Sequence, residues 1–185
     1  MVQYAAASLR PSIPTVTEVL EHHASALGRD FTAYRNHVYR VVNLCLAIAG
    51  GDRGALEKIA VAAVFHDLGI WTSHTFDYIA PSVALAREHL VARARADWIP
   101  EIEAMIVDHH KIRPSRADRA SLVEPFRRAD WIDVSRGLRT FGVPRSFIAS
   151  VFRVWPSAGF HWRLVQLTFD WSLKHPLNAL PMVRF

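Results

Sequence analysis

The run Val64-Phe65-His66-Asp67-Leu68-Gly69 constrains the fold of this chain more than any other segment. A helical pattern with Leu56, Ile59, Ala60, Ala63 and Val64 on its inner face ends in a histidine and a carboxylate side by side, with a glycine just beyond. A helix that only needed to stop would not place both at its buried end. An unpaired buried polar group costs on the order of 1–3 kcal/mol, and a buried charge more. The fold must therefore bring partners to His66 and Asp67, and a divalent cation satisfies both at once.

The other segments also read as helix. Thr15-Val16-Thr17-Glu18 has the form of a capping box opening a helix toward Leu27, which Gly28 ends. Asp30 is placed to cap the next helix, with Tyr34, Val38, Val41, Val42, Cys45, Ile48 and Ala49 inward and Gly50-Gly51 as its stop. A third helix covers about Gly54 to Leu68. Residues Gly69–Ala80 read as a loop, and Pro81 suits the first turn of a helix reaching about Asp97. Pro100 opens a helix with Ile102, Met105, Ile106 and His109 on one face, closed by Pro114. Leu122, Phe126, Ala129 and Asp130 mark a sixth, ended near Gly137; Pro144 starts a seventh and Phe160–Leu173 forms an eighth. No alternating strand pattern, nucleotide-binding glycine motif or internal repeat is present. The expected fold class is all-α, in a single domain.

Composition narrows the function classes. Of 185 residues, 51% are hydrophobic, with 6 Trp and 10 Phe, which excludes global disorder and supplies one sizeable core. The single cysteine, Cys45, cannot form an intramolecular disulfide and sits in an apolar stripe as a core residue. No stretch approaches the ~20 apolar residues of a membrane span. Met1–Pro14 lacks the apolar centre of a secretory signal, so a cytoplasmic protein without membrane attachment is expected. The net charge of +5, with basic residues concentrated in Arg87–Arg95, Lys111–Arg119 and Arg127–Arg139, fits solvated helix faces, a rim attracting phosphate, or a nucleic-acid surface. With no zinc-finger spacing, RNP motif or long basic tail, nucleic acid ranks last.

Further ligands for His66 and Asp67 should share helix faces with the core. His37 borders the apolar stripe of its helix, three residues after Tyr34 and four before Val41. Asp130 sits one turn past Phe126. Alone, His37 fits a satisfied core or surface histidine better than a ligand, and Asp130 a surface carboxylate or an arginine partner. What argues for ligation is order and spacing: His, then His-Asp one helical hairpin later, then Asp after two further helices. Such mixed nitrogen and oxygen ligation suits Mn, Fe, Co, Ni or Zn.

The pieces Tyr34-Arg35-Asn36-His37-Val38-Tyr39-Arg40-Val41, Phe65-His66-Asp67-Leu68-Gly69 and Ala129-Asp130-Trp131-Ile132-Asp133 carry a resemblance to the HD-domain superfamily of metal-dependent phosphohydrolases, over roughly Asp30 to Leu138. The resemblance implies the helical HD-domain fold, with residues 1–14 as an N-terminal extension and 15–185 as the domain with its C-terminal helices. It implies that His37, His66, Asp67 and Asp130 bind the metal; Asp133 competes one turn on, but the Ala-Asp context favours Asp130. The tandem His109-His110 resembles that of dinuclear relatives, which also tend to carry a His-Pro at the start of the helix after the His-Asp loop. Here that place reads Ala80-Pro81, so one ion is expected, and a second would draw on His109, His110 and His89, or on His74. The absence of Gly-Tyr-Pro after His110, and Ile70 where some relatives place a glutamate, separate the chain from the cyclic-di-GMP phosphodiesterase branch and from some deoxynucleotide phosphatases.

The expected chemistry is hydrolysis of a phosphate ester on a nucleotide-like or other small phosphorylated substrate. A bound cation lowers the pKa of its water toward ~7. Asp67 would orient that water, Asp77 accept its proton, and Lys111, Arg113 and Arg128 neutralise the phosphate, with Trp71, Phe76 and Tyr78 as a pocket wall. Other members of the superfamily act as di-iron oxygenases or as hydratases and lyases on small nitriles, and a non-catalytic binding protein is a third reading. Self-association is left open.

Overall fold

The structure is a computed structural model and describes residues 9–50, 53–114, 121–178 and 181–182. Among them it forms helices α1 (Pro14–His22), α2 (Ala24–Leu27), α3 (Phe31–Ala49), α4 (Arg53–Phe65), α5 (Gly69–Thr72), α6 (Ile79–Ala92), α7 (Ile99–Asp108), α8 (Val123–Val134), α9 (Arg145–Val154) and α10 (Phe160–Lys174), and no strand. The all-α expectation holds. None of these helices is long and apolar enough to cross a membrane.

α3 is the axle. Every residue from Asn36 to Cys45 is buried, so the helix is enclosed on all sides rather than along one stripe. It packs most extensively on α8 and next on α4, with α1 and α9 closing the remaining faces, while α6 and α7 pair and cover α4. Enclosure forces its polar residues to find partners. Asn43 shows this: it accepts from the Arg10 amide at 2.7 Å and donates to the Tyr39 carbonyl at 2.8 Å. That bond, with Ile13 buried, packs residues 9–13 onto the domain. Cys45 is fully buried and free, its thiol pushed up by burial, as expected of a core residue.

Several local expectations are corrected. Ile13 rather than Thr15 takes the N-cap of α1, because Pro14 is preset for the first helical turn and starts the helix two residues early. The Thr15 hydroxyl instead donates to Glu57 Oε2 at 2.7 Å. The helix expected to reach Leu27 breaks at His23. Asp30 makes no capping bond to α3; its Oδ2 accepts from Trp71 Nε1 at 3.0 Å and Arg163 Nε at 2.8 Å. The expected loop 69–80 contains α5, and α6 begins at Ile79, before Pro81. The helix expected to run to Asp97 ends at Ala92, with a 3-10 turn at Ala96–Trp98. Gly51 and part of the basic run, residues 115–120, lie outside the described residues.

The chain turns sharply after His66-Asp67, and Gly69 makes the turn feasible. A Cβ there would meet the Tyr78 carbonyl oxygen at 2.6 Å and Ser82 Oγ at 2.9 Å, while the Gly69 amide donates to Ser82 Oγ at 3.0 Å. The start of α5 is thus held against the first turn of α6 by backbone approach. Gly69→Ala should force these segments apart and destabilise the protein by about 1–3 kcal/mol, the range for overpacking. Urea unfolding checks this; an unchanged midpoint would mean that the approach is not tight.

Candidate metal centre

Four helices deliver six side chains to one region. α3 supplies His37, the end of α4 supplies His66 and Asp67, the end of α7 supplies His109 and His110, and α8 supplies Asp130. The approach of α3 to α4 is fixed locally: Tyr34, one turn before His37, donates its hydroxyl to the Val64 carbonyl at 2.7 Å. His37, His66, Asp67, His109 and Asp130 are all buried.

Hydrogen bonds set the imidazole tautomers. His66 Nδ1 lies 2.8 Å from the Ala63 carbonyl oxygen and His109 Nδ1 lies 2.6 Å from that of Ile106. A carbonyl only accepts, so both Nδ1 atoms carry the proton. His37 Nδ1 likewise donates to Asp133 Oδ2 at 2.6 Å. In each neutral ring Nε2 is then a lone pair, and these atoms face the carboxylates. His37 Nε2 is 3.0 Å from His66 Nε2, 3.6 Å from Asp67 Oδ2 and 3.8 Å from Asp130 Oδ1. His66 Nε2 is 3.4 Å from Asp67 Oδ2 and 3.7 Å from Asp130 Oδ1.

A second set adjoins the first. His109 Nε2 is 3.4 Å from Asp67 Oδ1, and His110 Nδ1 is 3.9 Å from Asp130 Oδ2. Each carboxylate thus turns one oxygen to each set. Tyr78, buried at the start of α6, shares a 2.6 Å hydrogen bond with His110 Nε2, which leaves Nδ1 as the atom facing Asp130. Burial pushes His110 down to about 3, helped by the charge of His109, so it is neutral at neutral pH.

Whether these residues fit a metal is tested by their hydrogen bonding. Asp67 Oδ1, Asp130 Oδ1 and His109 Nε2 are buried with no hydrogen-bond partner. Two anionic oxygens and an imidazole lone pair without a donor between them would cost several kcal/mol in a closed core. A cation removes that cost, and the N/O donor set fits Mn, Fe, Co, Ni or Zn.

Behind His37 stands a charged support. Burial would raise Asp133, but the Arg40 guanidinium and the His37 hydrogen bond hold it well below the usual carboxylate range. Arg40 Nε donates to Asp133 Oδ1 and Nη2 to Oδ2 at 3.0 Å, while Nη1 donates to the Trp155 carbonyl at 3.1 Å. Asn36 Nδ2 donates to Pro156 O at 2.8 Å, His161 Nε2 lies 2.9 Å from the Asp133 carbonyl, and Phe160 stacks on the His37 ring at 4.1 Å. Burial alone would lower His37, yet bonding to Asp133 raises it to about 9. Asp67 lies well below the ordinary range because His66, His109 and His37 outweigh its burial.

The structure does not bring every expected site residue here. Asp77 is exposed, its amide bonded to Thr75 Oγ1 at 3.1 Å, and His74 is exposed at a positive φ of 50°. His89 packs on Phe65 at 5.2 Å, beside a cavity of about 420 Å³ that includes His22 and His23; α6 presents it to that groove and not to the ligand groups. Trp71 is buried against Tyr34 at 4.7 Å and lines a separate cavity of about 250 Å³ with Phe76 and Arg163. Arg128 Nε is bound to Glu124 at 2.8 Å and Lys111 Nζ to Asp108 at 2.9 Å, while Arg113 is exposed. Arg40, Tyr78 and Phe160 were not anticipated in their observed roles. Arg40 stands one turn after His37, as Asp133 stands one turn after Asp130, and that matched spacing was the available signal.

Asp133→Asn keeps the side-chain shape but removes the charge that orients His37 and balances Arg40. Metal affinity should fall about 10–100-fold, the usual effect of losing such a support, measured by chelator competition with circular dichroism confirming the fold. Unchanged affinity would reduce Asp133 to a packing and ion-pair role.

No curated protein and no solved structure matches the chain. The HD domain family matches residues 34–135, from Tyr34 to the turn after α8 and over every candidate ligand. Spanning more than half of the sequence, and coinciding with the cluster just described, that match shows that this chain belongs to the HD-domain family.

Proposed function

We propose that this protein is a metal-dependent phosphohydrolase acting on a small phosphorylated substrate. The observation that carries the reading is the pair of carboxylates, Asp67 and Asp130, each with an unpartnered buried oxygen among inward-facing imidazoles. Membership of a family of mostly metal-dependent hydrolases supports it. Bound divalent metal supplies Lewis acidity toward a phosphoryl oxygen and lowers the pKa of water. His37, His66, Asp67 and Asp130 would hold one ion, and His109, His110 and the second oxygens of the two carboxylates another. Asp67 and Asp130 then orient the attacking water and accept its hydrogen bonds, the role expected of Asp77. Tyr78 keeps His110 Nδ1 turned toward Asp130. Arg113, exposed three residues past His110, and Lys111, paired with Asp108, would bring positive charge toward a bound phosphate.

The same second set favours one competing reading, di-iron oxygenase chemistry, because both carboxylates can bridge. Metal analysis and a phosphoester panel with Mn, Co, Ni and Mg, run beside oxygen uptake with ferrous iron, separate the two. Phosphate release without oxygen uptake is expected. His66→Ala and Asp67→Ala should each strip the metal and lower phosphate release by at least about 10³-fold; full metal occupancy in both variants would overturn the assignment.

Acid should compete with the metal. With His37 raised to about 9, its Nε2 holds a proton at pH 7 that binding must displace. Metal affinity should therefore rise about tenfold per pH unit between pH 6 and 8, flattening near 9. Calorimetry in buffers of different ionisation enthalpy should register release of at least one proton; a pH-independent affinity would contradict the ligation of His37.

A further inference from the structure

α10 is apolar on two faces. Its inner face, with Phe160 buried and Leu164, Leu167 and Trp171 half-buried, packs on the core. On its outer face Trp162, Val165, Phe169 and Leu173 stand 66%, 55%, 62% and 68% exposed. At ~100° per residue these four fall within an arc of about 80°. The uncharged Gln166 and Ser172 border the row on either side. A helix apolar on opposite faces is ordinarily covered on both. Each protomer offers on the order of 400–500 Å² of apolar surface in this stripe, given the size of aromatic side chains. A standard interface buries ~800 Å² per partner, a little over half of it apolar, which requires about that amount.

The charges beside the stripe indicate what covers it. Arg163, Asp170 and Lys174 lie along one flank. Asp170 makes no ion pair among the described residues, and Arg163 engages Asp30 through Nε alone. When two such helices pack face to face and antiparallel across a two-fold axis, the same flank of each copy lies beside that of the other. With the axis at the middle of the stripe, Asp170 of one copy falls within about 3 Å, along the helix axis, of Arg163 of the other, and the pair occurs twice. Parallel packing sets the charged flank against the uncharged one. Antiparallel pairing also opposes the helix dipoles.

We infer that the outer face of α10 is the two-fold interface of a homodimer, in which two α10 helices pack antiparallel through Trp162, Val165, Phe169 and Leu173. The inference is independent of the reaction proposed above. Sedimentation equilibrium of the full chain at micromolar concentration should give a dimer. Phe169→Glu, which sets two like charges near the axis, should weaken association at least about 100-fold, while circular dichroism and metal content stay unchanged. Asp170→Arg should weaken it less, and Leu138→Glu, at an exposed apolar residue off the stripe, should leave the dimer intact. Because Cys45 is buried, Gln166→Cys introduces the one accessible thiol, and mild oxidation should link two copies. A monomeric wild type, a Phe169→Glu variant that still dimerises, or Gln166→Cys protein that does not cross-link would overturn the inference.

Discussion

Once Nε2 of each ring is free of its proton, three imidazoles present lone pairs to the space between Asp67 and Asp130, and the main helices are packed so that these atoms meet there. A carboxylate in a core ordinarily recruits donors. Here the donor hydrogens of His37, His66 and His109 are turned outward, to Asp133 and to backbone carbonyls. The arrangement is stable only with positive charge at the centre, whether protons or metal. The helices are held to it by bonds that leave those lone pairs free: the Tyr34 bond to Val64, the Arg40–Asp133 pair, and the close approach at Gly69. Specificity of geometry is achieved at some expense in stability, because desolvating a buried ion pair such as Arg40–Asp133 costs about as much as its attraction returns.

The sequence carried the helices and the grouping of His37, His66, Asp67 and Asp130, because both depend on spacing along the chain. It did not carry what lies behind the ligands. Asp130 and Asp133 are one turn apart on a buried helix, and their different partners, ligand atoms for one and Arg40 for the other, are decided by how α8 sits on α3. The two capping expectations failed for a related reason. Thr15 and Asp30 have the right chemistry for local bonds, but Glu57, Trp71 and Arg163 offer tertiary ones. The His109-His110 tandem already set His110 ahead of His89 as a candidate, and the structure separates them by direction: the end of α7 turns His110 to Asp130, while α6 turns His89 toward Phe65.

Tyr78 shows how the turn after His66-Asp67 links structure to chemistry. Its carbonyl is the atom that excludes a side chain at position 69, and its hydroxyl binds His110. A single residue therefore ties the backbone corner beside one set of ligands to the imidazole of the other.

The stacking of Phe160 on His37, with the Trp155 and Pro156 carbonyls on Arg40 and Asn36, lies outside the segment that defines the family. The boundary of the recognisable motif and the boundary of the working unit are thus different. A fragment cut to residues 34–135 would contain every candidate ligand and yet lack the aromatic wall and the backbone acceptors that keep the first of them upright. A substitution in the C-terminal helices would accordingly reach the candidate metal centre through His37 and Arg40 without touching any signature residue.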